Sequence, residues 1–178
     1  LVGGQLLNQA GQLSSHGELS LTGIQALDNR GGTIETDAAL TLASASLDNR
    51  DHGRITAEGD NHLSSGALSN GQGGLISSGQ LLQVRAGQVG NQAGTLAGRQ
   101  VQASVSGLDQ HGGELFSLDG LKLDLNGGVL DNSAGLIRGP GSLLLHNLGQ
   151  VDNRDGEISS LVGFELAAEG LDNTGGKL

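Results

Sequence analysis

Apolar side chains recur in this chain with two superimposed periods. The short period is two. Leu19-Ser-Leu21, Leu40-Thr-Leu42, Leu121-Lys-Leu123-Asp-Leu125 and Leu143-Leu-Leu145 place an aliphatic residue at alternate positions, the signature of a strand with one buried face. The long period is about 20–21. An Asn, or once a Gln, stands at Asn8, Asn29, Asn49, Asn70, Asn91, Gln110, Asn132, Asn153 and Asn173, at steps of 21, 20, 21, 21, 19, 22, 21 and 20 residues. No stretch sustains the i, i+3, i+4, i+7 spacing of an amphipathic helix, and 33 glycines in 178 residues disfavour helix further.

Positions at fixed distances from each anchor form columns. Two residues before it stand Leu6, Leu27, Leu47, Leu68, Val89, Leu108, Leu130, Val151 and Leu171. Three residues after it stand Gly11, Gly32, Gly73, Gly94, Gly113, Gly135, Gly156 and Gly176; the copy at 49 has His52 there and Gly53 next, as if one residue were inserted. Five after it stand Leu13, Ile34, Leu75, Leu96, Leu115, Ile137, Ile158 and Leu178, with Ile55 displaced by that insertion. Eleven after it come Leu19, Leu40, Leu81, Leu121, Leu143 and Phe164.

A period of this length is too short for paired helices and fits one turn of a β-solenoid. The expected fold is all-β, with eight to nine coils of parallel strands over residues 1–178, one continuous repeat segment without a linker. Each strand pairs with its equivalents one coil above and below, at about 4.8 Å per coil. The Gly column marks a corner where φ is positive or close packing excludes Cβ. The anchors are expected to form a structural ladder, each buried amide bonding to corner backbone and to the amide of the next coil. Unpartnered, such a buried group would cost about 1–3 kcal/mol. Gln110 is expected to serve in the ladder through its longer reach.

The leucine-rich repeat has a similar period and an Asn column, but there Leu follows two residues after Asn. Here that position holds Ala10, Gly31 or Asp51. Pro140, the only proline, lies in Gly139-Pro-Gly141 and reads as a tight turn. Because the chain ends on the aliphatic residue of a ninth copy, it reads as a piece of a longer array. Without capping turns, its exposed coil edges would leave the piece monomeric or stacking end to end.

Charge and rare residues then remove functions. The net charge of −10 is scattered, and no basic stripe exists for phosphates, so nucleic acid is not an expected partner. The chain has no Cys, hence no disulfide or thiol chemistry, and no apolar run long enough for a membrane-spanning helix. Asp precedes the anchor at 28, 48, 109, 131, 152 and 172. Stacked carboxylates would suit Ca²⁺; local hydrogen bonding at the corner, with Arg30, Arg50 and Arg154 as counter-charges, is the favoured reading. The five histidines, His16, His52, His62, His111 and His146, fall on different columns with no metal-ligand spacing. No catalytic, cofactor or metal residue is expected. A polysaccharide-cleaving β-helix needs paired carboxylates in a groove and aromatic platforms, and the only aromatics are Phe116 and Phe164, the latter in a core column.

Leu27-Asp28-Asn29-Arg30-Gly31-Gly32-Thr33-Ile34 and Val151-Asp152-Asn153-Arg154-Asp155-Gly156-Glu157-Ile158 resemble the filamentous haemagglutinin-type repeat of two-partner-secretion exoproteins. The resemblance spans the whole chain. It implies a right-handed parallel β-helix, exported through a dedicated outer-membrane β-barrel partner to the surface of a Gram-negative bacterium. Family members are adhesins, haemolysins and the stick-like effectors of contact-dependent growth inhibition. The implied role is a stalk that projects binding or toxin regions toward another cell. The alternative is that the segment itself binds a host or neighbour-cell receptor or glycan, through outward residues such as Gln83, Arg85, Gln100 and Gln102 within Leu81–Val105, where the Leu columns are least regular.

Overall fold

A computed structural model describes residues 4–178. Among them every regular element is a β-strand and every strand pairing is parallel. The strands wind into a β-solenoid of about eight turns.

Each coil has three straight runs. The first follows the Asn corner, as in Thr33–Thr36 and Arg54–Ala57. In several coils the second and third share one bent strand, as in Leu19–Asp28, whose pairing shifts register between Leu21 and Ile24, where the chain turns; Leu75–Gly90 carries all three runs, and Thr95–Ser104 carries the first and second. Gly23 lies at that bend with a φ of 68°, a conformation open to glycine at little cost.

Register converts the periodic sequence into stacked columns. In the first run Leu13, Ile34, Ile55, Ile76, Leu96, Leu115, Ile137 and Ile158 lie directly above one another. In the third run the column is Leu6, Leu27, Leu47, Leu68, Val89, Leu108, Leu130, Val151 and Leu171. The second run supplies two columns, one through Leu19, Leu40, Leu82, Val101, Leu121 and Leu143, the other through Leu21, Leu42, Leu63, Val84, Ala103, Leu123 and Leu145. Most of these side chains are fully buried, which makes one narrow core running along the axis. Each buried aliphatic contributes roughly 1.5–3 kcal/mol.

The structure corrects the columns at one copy and adds to them at two other places. The copy at Asn70 carries the same one-residue insertion as the copy at Asn49. Its corner glycine is therefore Gly74, its first-run core residue Ile76 and its second-run core residue Leu82. Gly73, Leu75 and Leu81 sit one position outside those columns. Second, Asn61 occupies the column that holds Leu40 and Leu82 in the neighbouring coils, and it is fully buried. Its amide donates to the Ser77 carbonyl at 3.0 Å, while its Oδ1 has no partner. Third, Phe164 keeps register with Leu143, yet it is 37 % exposed because no described strand covers the far side of its coil.

Candidate functional site

The nine anchors meet at one corner of the rod. Asn29, Asn49, Asn70, Asn91, Gln110, Asn132 and Asn153 are completely buried. Asn8 Nδ2 donates to Asn29 Oδ1 at 2.7 Å, and the same bond recurs from Asn29 to Asn49, Asn49 to Asn70 and Asn70 to Asn91. These four Asn amides also donate to the corner glycine's carbonyl, as Asn29 does to Gly32 at 3.1 Å, and to a strand carbonyl of the next coil, as Asn29 does to Arg54 at 3.0 Å. One NH₂ group thus ties three backbone or side-chain acceptors across two coils.

The chain of bonds is interrupted once. Asn91 donates to Gln110 Oε1 at 2.9 Å, but Gln110 Nε2 finds no acceptor and Asn132 Oδ1 finds no donor. The bonds resume from Asn132 to Asn153 and from Asn153 to Asn173. Gln110 therefore takes the bond from below without passing one on. Gln110 is also the one anchor longer than Asn by a methylene.

The corner glycine is needed for close approach. A Cβ on Gly32 would overlap the Asn8 carbonyl oxygen of the coil beneath, and one on Gly94 or Gly156 would overlap that of Asn70 or Asn132. Positive φ falls one residue earlier, at Ala10, Gly31, Ala93, Ala134 and Asp155, for example. In the two inserted corners it falls on two consecutive residues, Asp51 with His52 and Gln72 with Gly73.

Outside the corner, the Asp column binds locally. Backbone N–H groups two residues on donate to Asp28, Asp48, Asp109, Asp131, Asp152 and Asp172. Arg30 and Arg50 grip Asp28 and Asp48 with both guanidinium nitrogens, and Arg154 grips Asp152 in the same way. Hydrogen bonds from these arginines hold the Asp28, Asp48 and Asp152 carboxyls below their ordinary range. The Thr174 hydroxyl and N–H do the same for Asp172. Arg30 and Arg154 also lie 3.7 and 3.9 Å from the Asp of the following coil. Among the described residues, no three His, Asp or Glu side chains converge as cation ligands. The histidines are dispersed: His16 pairs with Asp37 at 2.6 Å, which raises its pKa, and His111 meets the Ser133 hydroxyl at 2.8 Å.

One outward face departs from this pattern of paired charge. Gln83 lies in register with Gln102, and Gln102 with Lys122. Arg85 donates to Gln83 Oε1 at 2.9 Å. With Ser104 and Asp124 these side chains line a shallow cleft of about 150 Å³. Gln100 stands one row away, between Leu81 and Gly120. Among the described residues neither Arg85 nor Lys122 has a carboxylate within ion-pair distance, whereas Arg30, Arg50, Arg99, Arg138 and Arg154 each do.

A family model described as Haemagglutinin repeat matches residues 3–86, 61–155 and 147–178. The chain belongs to the haemagglutinin repeat family. Membership makes it a segment of a filamentous, adhesin-type protein of the kind secreted to the cell surface. No curated protein and no solved structure matches the chain. In these haemagglutinin repeats the octet around each Asn is divided by burial. Leu27 and Ile34 fill the core, Asn29 laces coils together, and Asp28 and Arg30 face solvent as a pair.

Proposed function

We propose that the segment is a stalk in a secreted surface filament of a Gram-negative bacterium, carrying no reaction of its own. The observation behind this reading is the unbroken stacking of the same columns from Leu6 to Leu171. The recurrent polar residues are consumed by the fold itself, the Asn corners in lacing coils together and the Asp–Arg pairs in bonds within each corner. Length then scales with coil number, at about 4.8 Å each. The parent is an adhesin, or an effector of contact-dependent growth inhibition, reaching the surface through an outer-membrane β-barrel partner. The stalk sets the distance between cell and distal binding or toxin region. Removing whole coils from the secreted parent tests this. Reach and activity should fall with length while folding is retained; a parent that works equally well at any length would reject a spacer.

A second reading rests on the Gln83–Gln102–Lys122 face with its unpaired Arg85. Such a face suits a polar partner, a receptor or glycan on another cell. In that case the segment alone binds intact target cells, and Arg85→Gln with Lys122→Gln abolishes the binding. Equal binding by the double variant would remove the face from consideration.

A further inference from the structure

We infer that the rod contains one built-in weak joint, at the Asn corner between the coils of Gln110 and Asn132, which opens ahead of every other interior corner while the other two faces of the rod stay paired.

Four independent features coincide there. The first is the interrupted ladder: Gln110 Nε2 and Asn132 Oδ1 are both fully enclosed and both unpartnered. Buried polar groups without partners favour any opening that admits water to them. Second, the third-run strands on both sides of the joint are short and cut off from the second run of their own coils, Thr95–Ser104 ending before Gly107–Asp109 and Glu114–Asp124 before Leu130–Asp131. Gly107–Asp109 has three residues and Leu130–Asp131 two, and only Leu108↔Leu130 and Asp109↔Asp131 join them. The corresponding pairing of Leu40–Asp48 with Asn61–Ser69 is continuous through Ala43, Ser44 and Leu47. Third, a groove of about 360 Å³ opens on the surface between Gly107–Asp109 and Gly128–Asp131, leaving Val129 55 % exposed. Fourth, a small void of about 10 Å³ lies in the core on the Gln110 side of the joint, where Val101, Ala103 and Val105 stand among Leu96, Leu108, Leu115 and Leu123.

The weakness is confined to one face. Backbone bonds still cross the joint, from Leu108 N–H to the Val129 carbonyl at 3.0 Å and from Gln110 N–H to the Asp131 carbonyl. The first run remains in register from Glu114–Phe116 to Leu136–Arg138, and the second from Gly120–Asp124 to Ser142–His146. Opening is therefore a local parting of one corner, which would let the rod bend about its other two faces.

Hydrogen exchange read by mass spectrometry on the intact chain tests the joint. Amides of residues 107–113 and 129–135 should exchange about tenfold or more faster than those of the corners at Asn29 and Asn49, as low-stability local opening requires. Gln110→Asn should slow that exchange toward the other corners by supplying an amide short enough to reach both neighbours. Equal protection of all corners in the unaltered chain overturns the proposal, as does fast exchange that Gln110→Asn leaves unchanged. Should Gln110→Asn not fold, Asn70→Gln decides. Placing the longer amide in a regular coil should create fast exchange at residues 70–74, and unaltered protection there overturns the proposal.

Discussion

At the scale of single residues, the Asn corner concentrates the penalty for substitution. Each buried Asn amide of the ladder donates to a neighbouring amide and two carbonyls, as Asn70 and Asn91 do. Replacing Asn91 with Leu leaves Asn70 without its acceptor and Gln110 without its donor, both enclosed. Asn91→Leu should lower stability by more than about 1 kcal/mol, measured as a shift of the urea midpoint. An unchanged midpoint would show that the ladder is not a source of stability. The glycine makes a separate demand. Gly32→Ala forces Cβ into the Asn8 carbonyl, a backbone atom that cannot swing aside. A loss of roughly 1–3 kcal/mol is expected from such overpacking, whereas Gly4→Ala, with open space around it, should be neutral.

At the scale of the element, the outward Asp–Arg pairs determine the response to acid. The Asp28, Asp48 and Asp152 carboxyls titrate below their ordinary range because arginine bonds stabilise the charged form, and Asp172 does so through Thr174. Since the folded pKa is the lower one, their contribution is complete above the unfolded value near 4 and vanishes as pH falls through the folded value. Thermal melts should be nearly flat between about pH 5 and 7 and decline below about pH 4. Arg30→Gln and Arg154→Gln should reduce that decline; a melting temperature independent of pH down to about 2 would contradict the pairing. Strand pairing also explains why the insertion at Asn70 is silent in the sequence pattern. At Asn70 two glycines stand side by side at Gly73 and Gly74, two aliphatics at Leu75 and Ile76, and two leucines at Leu81 and Leu82. Either alignment satisfies the pattern of residue types. Only the pairing of Ile55 with Ile76 and of Asn61 with Leu82 selects one.

For the whole molecule, stability and length are both sums over coils. Deleting residues 50–70 removes one 21-residue interval and joins Asn49 to Gly71, the same kind of inserted corner. The shortened chain should fold and lose about 4.8 Å of maximum dimension in solution scattering. Collapse to a molten or unfolded state would show that the coils are not interchangeable. The exposed core-column side chain Leu171 lies in the last coil described, where a column has a neighbour on one side only.

The sequence by itself determined the solenoid, the coil length, the core columns and the location of the Asn corner, because each depends on a residue type recurring at a fixed interval. It also separated the buried Asn from the solvent-facing Asp and Arg within each octet. Tertiary structure decided matters in which residue type is ambiguous and distance is not. Between Gln110 and Asn132 two polar atoms are left unpaired. Asn61 enters a leucine column because its amide finds the Ser77 carbonyl there. The corner glycine proved to be required by the carbonyl of the coil below, with positive φ assigned to its neighbour. A repeat specifies which residues stack; whether each stacked pair closes its hydrogen bonds depends on ångström-scale reach, and a one-letter pattern does not encode that.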